Sequence, residues 1–336
     1  MHVSHYFEWE RWITGGHAQS VKNQRAIMDD HGVEYTTKPT LSADVLHLNN
    51  MGPRSLWWAK RARRNDVPVL VHTHQTAEDF RESFALSNWL ARPLRPYLEY
   101  AYGHADRFVA PSEHNADVIE AYVPEVPATV VSNGFDPGKI AGHDDPDLRR
   151  EYLDRYDLEP PVVFMVGHVI ERKGLSAFVE TAREMPDLDF AWFGYLNPGG
   201  GTVDRVLRSR ETTKLVESAP DNCTFTGYVD DIAGAFAAGN VFFWPSKNEN
   251  EGMALLEAMA AGKPAVVRDI PTYDRFDDGA HVLKADDDFV RPLRRLAGDE
   301  QLREELGTAA AEKSREYTID AVGEDLIAVY ERLAAD

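Results

Sequence analysis

The chain has 336 residues, a single cysteine and a formal net charge of −20. That length suits two domains of ordinary size. The lone Cys223 excludes an internal disulfide and any multi-cysteine metal site, and the acidic balance argues against nucleic acid as a partner. No apolar run approaches the roughly 20 residues of a membrane-spanning helix, and residues 1–8 lack the basic and apolar regions of a signal peptide, so a cytoplasmic protein is expected.

In chain order, short apolar runs at 69–72, 107–110, 129–132, 162–166, 190–193, 241–245 and 265–267 alternate with helical patterns, which reads as parallel α/β. After the first strand, Gly15 and Gly16 either free backbone N–H groups for a phosphate or acceptor hydroxyl, or simply make a tight turn. Lys60, Arg61, Arg63 and Arg64 form a basic cluster that fits a solvated helix face or an anionic lipid. His72 and His74 stand at a strand's carboxyl end, where ligands of α/β proteins bind. Without a third ligand fixed nearby, they suit charge stabilisation better than metal binding. Glu78, Asp79 and Arg81 in the same loop fit either helix capping or acceptor contact. Residues 87–98 interleave Trp89, Leu90, Leu94 and Tyr97 with Arg92 and Arg95, which fits a lipid headgroup interface or an amphipathic core helix broken at its prolines.

The stretch 139–161 is rich in Asp, Gly and Pro, and a domain boundary is expected there, with domains at 1–157 and 158–316. In the second domain, Gly167 and Gly174 punctuate a loop between strand and helix, a place for phosphate, and Lys173 supplies a cation. The strand at 241–245 runs into a polar turn. Gly252 then opens a run of strong helix formers that ends at Gly262, before Pro264. Backbone N–H groups of Gly252, Met253 and Ala254 are expected to face an anion at the helix's positive end. Glu249 and Glu257 are eight residues apart, roughly 12 Å if both lie on one helix. That span suits a sugar at one end and a ribose at the other, each carboxylate accepting hydrogen bonds from a diol. No Gly-x-Gly-x-x-Gly follows the first strand, which argues against a dinucleotide oxidoreductase.

Glu249-x7-Glu257, followed by Ala258-x-Ala260-x-Gly262-x-Pro264, resembles the signature of the retaining glycosyltransferases of family 4. This resemblance spans nearly the whole chain and extends to the diacylglycerol and phosphatidylinositol-type lipid glycosyltransferases. It implies a GT-B fold, two Rossmann-like parallel-sheet domains facing an interdomain cleft, with the helix at 317–336 crossing back to the first domain. It also implies that Glu249 contacts the donor sugar, Glu257 the ribose, and Lys173 the diphosphate, with Gly16 near the donor phosphate and Gly15, Gly16 and His17 near the acceptor. His74 aligns with an active-site histidine beside the donor sugar, and Val229, in a segment similar to the one that reads the base, completes the donor set. His168 stands where the family has arginine, and Arg172 is an extra cation that fits a compensating diphosphate contact or a solvent-facing charge.

The implied activity is retaining, metal-independent transfer of a hexose from a nucleotide sugar, UDP favoured over GDP, with no cofactor. A membrane lipid is the preferred acceptor, met through peripheral contact of the first domain at the inner face of the membrane. The alternatives are transfer to a polyprenyl-linked or soluble glycan, or a non-catalytic nucleotide-sugar-binding protein. The 26 arginines against ten lysines, and 30 aspartates against 26 glutamates, resemble the composition of proteins adapted to a salt-rich cytoplasm.

Overall fold

A computed structural model describes residues 1–77, 87–196 and 210–335, without the side chains of 87–92 and 210. The described residues up to Phe135, together with those from Tyr317 onward, make one unit, and Asp136 to Glu316 make a second.

Unit 1 is built on strands β1 (His2–Tyr6), β2 (Glu34–Thr36), β3 (Val45–Leu48), β4 (Val69–His72), β5 (Arg107–Ala110) and β6 (Ala128–Val130), in the order β2-β1-β3-β4-β5-β6. Every pairing is parallel. The central strands are buried on both faces, as helices on either side of a parallel sheet require. Helices α1 (Gly16–Asp30), α2 (Pro53–Arg63), α3 (Ser87–Tyr102) and α4 (Glu113–Glu120) connect them. Helix α3 is not broken at its prolines: it continues through Pro93 and Pro96. The packing of Leu94, Tyr97, Leu98 and Ala101 on the core outweighs the two missing backbone donors. The C-terminal helix, Ile319–Ala335, lies on α1 and β3, and its Tyr330 hydroxyl meets His47 Nδ1 at 2.7 Å.

Unit 2 has strands β7 (Val163–Val166), β8 (Phe190–Phe193), β9 (Cys223–Gly227), β10 (Val241–Trp244), β11 (Ala265–Arg268) and β12 (Leu283–Ala285), in the order β12-β11-β10-β7-β8-β9, again all parallel. The helices are α5 (Pro146–Tyr156), α6 (Leu175–Glu184), α7 (Arg210–Glu217), α8 (Ile232–Ala238), α9 (Met253–Ala260), α10 (Val290–Gly298) and α11 (Glu300–Ser314). Contacts divide the chain earlier than composition suggests, because α5 belongs to unit 2. Arg149 donates to Ala237 C=O at 2.6 Å, and Tyr152 packs so closely on Gly234 that a Cβ there would lie 2.1 Å from its ring.

Both sheets reverse strand order once, between β1 and β3 in unit 1 and between β7 and β10 in unit 2. The carboxyl ends of the strands at such a reversal are where open parallel sheets bind ligands.

Candidate functional site

At the reversal of unit 2, two loops abut. The loop after β7 carries Gly167, half-buried His168 and a 3₁₀ turn, Glu171–Lys173, that ends at Gly174. Gly174 has φ +85°, and a Cβ would lie 2.3 Å from the carbonyl oxygen of Pro245 in the loop after β10. Only glycine allows this approach. Gly174→Ala is therefore expected to destabilise the protein by about 3 kcal/mol or more, read from the urea midpoint, because strain and a backbone clash add.

The loops are also laced by hydrogen bonds. Arg172 Nη1 donates to Asn248 C=O at 2.9 Å, and Lys247 N–H donates to Arg172 C=O at 2.9 Å. Arg172 thus fastens the segment that carries Glu249. Glu249 lies in this loop, ahead of Gly252 (φ +86°), which caps α9, whereas Glu257 sits inside α9. The two glutamates therefore do not share a helix, and the 12 Å helical spacing does not apply.

Lys173 Nζ pairs with the carboxylate of Glu249, which also accepts from Ser246 Oγ at 2.5 Å. Thr272 Oγ1 donates to the Glu249 carbonyl at 2.6 Å. Lys173 Nζ additionally lies 4.5 Å from the centroid of the Trp244 ring, and Trp244 Nε1 donates to the Tyr273 hydroxyl at 2.5 Å. Burial by itself would push the Glu249 carboxyl up. The charges of Lys173 and Arg172, with the hydrogen bonds from Lys173 and Ser246, outweigh it and hold Glu249 below the usual carboxylate range. Glu257 has the opposite balance: burial raises it, and Lys139 at 3.6 Å offsets only part. His168 is lowered to about 4 by burial and by the charges of Lys173 and Arg172, so it is neutral where arginine would carry charge. Val229, half-buried after β9, lies two strands from the reversal.

The reversal of unit 1 gathers a different set. Gly15 (φ 76°, ψ −151°) occupies a conformation open essentially to glycine alone and starts α1, whose first residues are Gly16 and His17. His17 Nε2 donates to Asn49 C=O at 2.7 Å, and its ring lies 4.3 Å from that of His74. His74 also stacks on His72, with centroids 4.3 Å apart and planes 3° off parallel. His47 and His5 extend this line of imidazoles. Beside it, Glu8 accepts from the N–H of Ser55 at 2.7 Å and of Arg54 at 3.2 Å, a carboxylate at the start of α2. Among the described residues no group of three or more His, Cys, Asp or Glu is arranged to hold a metal ion. Glu78, Asp79 and Arg81 lie outside the described residues.

A family model described as "Glycosyl transferases group 1" matches residues 153–313, and one described as "Glycosyltransferase Family 4" matches residues 34–139. The processive diacylglycerol alpha-glucosyltransferase of Acholeplasma laidlawii is 32% identical over 330 residues, 95% of this chain and 94% of that one. The chain belongs to glycosyltransferase family 4. Another relative, the phosphatidyl-myo-inositol mannosyltransferase of Mycobacterium leprae (strain TN), is 30% identical over 303 residues, 87% of this chain and 74% of its own. The solved structure of Anabaena HepE in complex with UDP-glucose superposes with a TM-score of 0.79 at 14% identity over 99% of this chain and 100% of that one, a match of the GT-B fold.

Within this glycosyltransferase, Glu249, Lys173, Arg172 and Gly252 come together at one reversal, and Gly15, Gly16, His17 and His74 at the other. Sequence reading missed Ser246, Thr272, Trp244 and Tyr273 around the Lys173–Glu249 pair, and Ser20, Gln24, Asn49 and Asn133 around His74. Ser246 had a signal as the first residue of the polar turn, and Asn133 had one in the stretch 132–136, which resembles the family's Asn-Gly-hydrophobic-Asp motif.

Proposed function

We propose that this family 4 glycosyltransferase moves a hexose from a UDP-sugar to a hydroxyl of a membrane lipid, with retention of configuration and without a metal ion. The observation that carries the reading is the Lys173–Glu249 pair beside the start of α9, where a cation, a carboxylate and a helix's positive end meet at the strand reversal. Lys173 and the N–H groups of Gly252, Met253 and Ala254 stabilise the departing diphosphate, a charge that a metal would otherwise balance. Glu249 accepts hydrogen bonds from the hexose, and Glu257 from the ribose. His74 contacts the sugar beside the acceptor, and a donor phosphate oxygen takes the acceptor's proton.

The lipid acceptor is supported by the relatives, which are named for diacylglycerol and phosphatidyl-myo-inositol. It is also supported by one face of α2. Trp57, Arg61 and Arg64 follow at helical spacing and are exposed, whereas Ser55, Ala59 and Ala62 opposite are buried. The Arg61 guanidinium lies 4.7 Å from the Trp57 ring centroid. A cationic aromatic face in a chain of charge −20 suits an anionic lipid surface. Arg61→Ala with Arg64→Ala is expected to weaken binding to phosphatidylglycerol-containing vesicles about 30-fold, in a flotation assay at low salt, and to leave UDP binding unchanged. In α3, Leu94 and Tyr97 pack on the core instead, and Tyr97 OH donates to Met51 C=O at 3.0 Å.

The test of the whole reading is nucleoside diphosphate release from a panel of UDP- and GDP-sugars, with EDTA, with and without diacylglycerol vesicles, at high potassium chloride. Release from a UDP-sugar that requires the lipid is expected. Release that a soluble glycan supports and lipid does not would overturn the acceptor, and UDP binding without any release would overturn the activity.

A further inference from the structure

A chain of hydrogen bonds inside unit 1 ends against His74; Arg25 sets the direction of its first links and Asn133 that of its last. The Arg25 guanidinium can only donate; Glu10 takes Nη1 and Nη2 at 2.5 and 3.1 Å, and Nε lies 3.3 Å from His5 Nδ1. His5 Nδ1 is therefore an acceptor, and the neutral ring carries its proton on Nε2. That proton meets Gln24 Oε1 at 2.8 Å. The Asn49 side-chain amide lies 3.1 Å from the same Nε2, and the orientation that turns its oxygen to this N–H lets it accept there. With Gln24 so oriented, its Nε2 donates to Ser20 Oγ at 3.0 Å, and the single Ser20 proton goes to Asn133 Oδ1 at 2.5 Å. With its proton on Asn133, Ser20 offers a lone pair to His74 Nε2 at 3.4 Å, while the Gln24 amide NH2, a donor 3.5 Å from the same nitrogen, competes for the opposite role.

We propose that Ser20 is a positioning residue for His74, accepting its Nε2–H and so fixing the Nε2-protonated tautomer, with the polarity set by Arg25 through His5 and Gln24 and by Asn133, whose Oδ1 takes the Ser20 proton. His74 Nδ1 is then an acceptor, which selects a substrate hydroxyl that donates to it. His17 and His72, each with its ring centroid 4.3 Å from that of His74, pack against the ring and hold its plane. Burial and the neighbouring imidazoles keep His74 well below the usual histidine range, so the ring is neutral near pH 7. Every residue of the chain lies between positions 5 and 133 and in one unit, so the device belongs to unit 1 alone.

The consequence for catalysis rests on the sugar-contact role given to His74 above; the tautomer itself does not. It is read by ¹⁵N–¹H correlation of the histidine side chains of the full-length protein at pH 7 without substrate, His74 being identified by the signal lost in His74→Gln. The wild type is expected to show the Nε2–H form, and Ser20→Ala a mixture of the two tautomers. In Ser20→Ala, kcat falls about tenfold while the KM for the nucleotide sugar stays within about twofold, because one hydrogen bond that orients the ring is lost. Gln24→Glu, which sets a carboxylate beside Nε2, moves the acid limb of the kcat/KM profile upward by about one pH unit. An Nδ1–H signal in the wild type, or an unchanged tautomer in Ser20→Ala, overturns the proposal. A wild type that shows the Nε2–H form yet transfers no sugar overturns the functional reading and leaves this one standing.

Discussion

Glu249→Ala is expected to lower kcat/KM about 10³-fold and to leave UDP affinity equal or tighter. A buried carboxylate that accepts two hydroxyl hydrogen bonds contributes about 2 kcal/mol through each, and a loss of about 4 kcal/mol corresponds to that factor. The second half of the expectation follows from the pairing. Lys173 is engaged by Glu249, so a diphosphate must compete for the ammonium, and removal of the carboxylate frees it. The fold survives at a cost of roughly 1–3 kcal/mol, because Lys173 loses its partner while its side chain, 15% exposed, retains a path to water. Steady-state kinetics alongside calorimetric titration of UDP check both halves. A fully active variant, or one that loses UDP binding together with activity, would contradict the assignment of Glu249 to the sugar.

The second large effect is acid lability of unit 1. His5, His47 and His72 are fully enclosed. Burial lowers His5 to about 4 and His72 to about 3, and it takes His47 well below its ordinary value; neighbouring imidazoles add to the effect at His47 and His72. Arg25 opposes protonation of His5, and Glu10 with the bond to Gln24 favours it without reversing the balance. Native pKa values below the unfolded value of about 6.5 mean that the unfolded chain binds more protons under acid conditions. The stabilisation is complete above pH 6.5 and is lost as pH falls from there towards 4. Each ring removes about 1.4 kcal/mol per pH unit, so three of them remove on the order of 6 kcal/mol between pH 6.5 and 5. This is comparable to the whole stability of a domain. Thermal melts between pH 7.5 and 4.5 should show Tm falling steeply below 6.5, with amide exchange accelerating first in β1, β3 and β4. A flat Tm, or first exchange in the strands of unit 2, would show that these rings are not neutral in the native state.

The strands that sequence made legible are those whose burial leaves a continuous apolar run, such as Val163–Val166, Phe190–Phe193 and Val241–Trp244. Three-residue β2 and β12 and half-buried β9 lie towards sheet edges and carry no such run. Lys173, Glu249 and Gly252 were legible for a related reason: each lies in a short string bounded by a strand and a helix, so local order announces the loop. The partners of His74 were not. Ser20 meets Asn133 across 113 residues and His74 across 54, and only the strand order of unit 1 brings them together. That the two glutamates belong to loop and helix separately was legible at Gly252, which follows the polar turn, opens the helix and adopts the left-handed conformation there.

The central claim is that the β7/β10 reversal holds the donor's diphosphate, and a crystal structure with UDP bound tests it most directly. The account predicts diphosphate oxygens within hydrogen-bond distance of Lys173 Nζ and of the N–H groups of Met253 and Ala254, with the ribose towards Glu257. A diphosphate seated elsewhere, with the Lys173–Glu249 pair undisturbed and the start of α9 vacant, would contradict it.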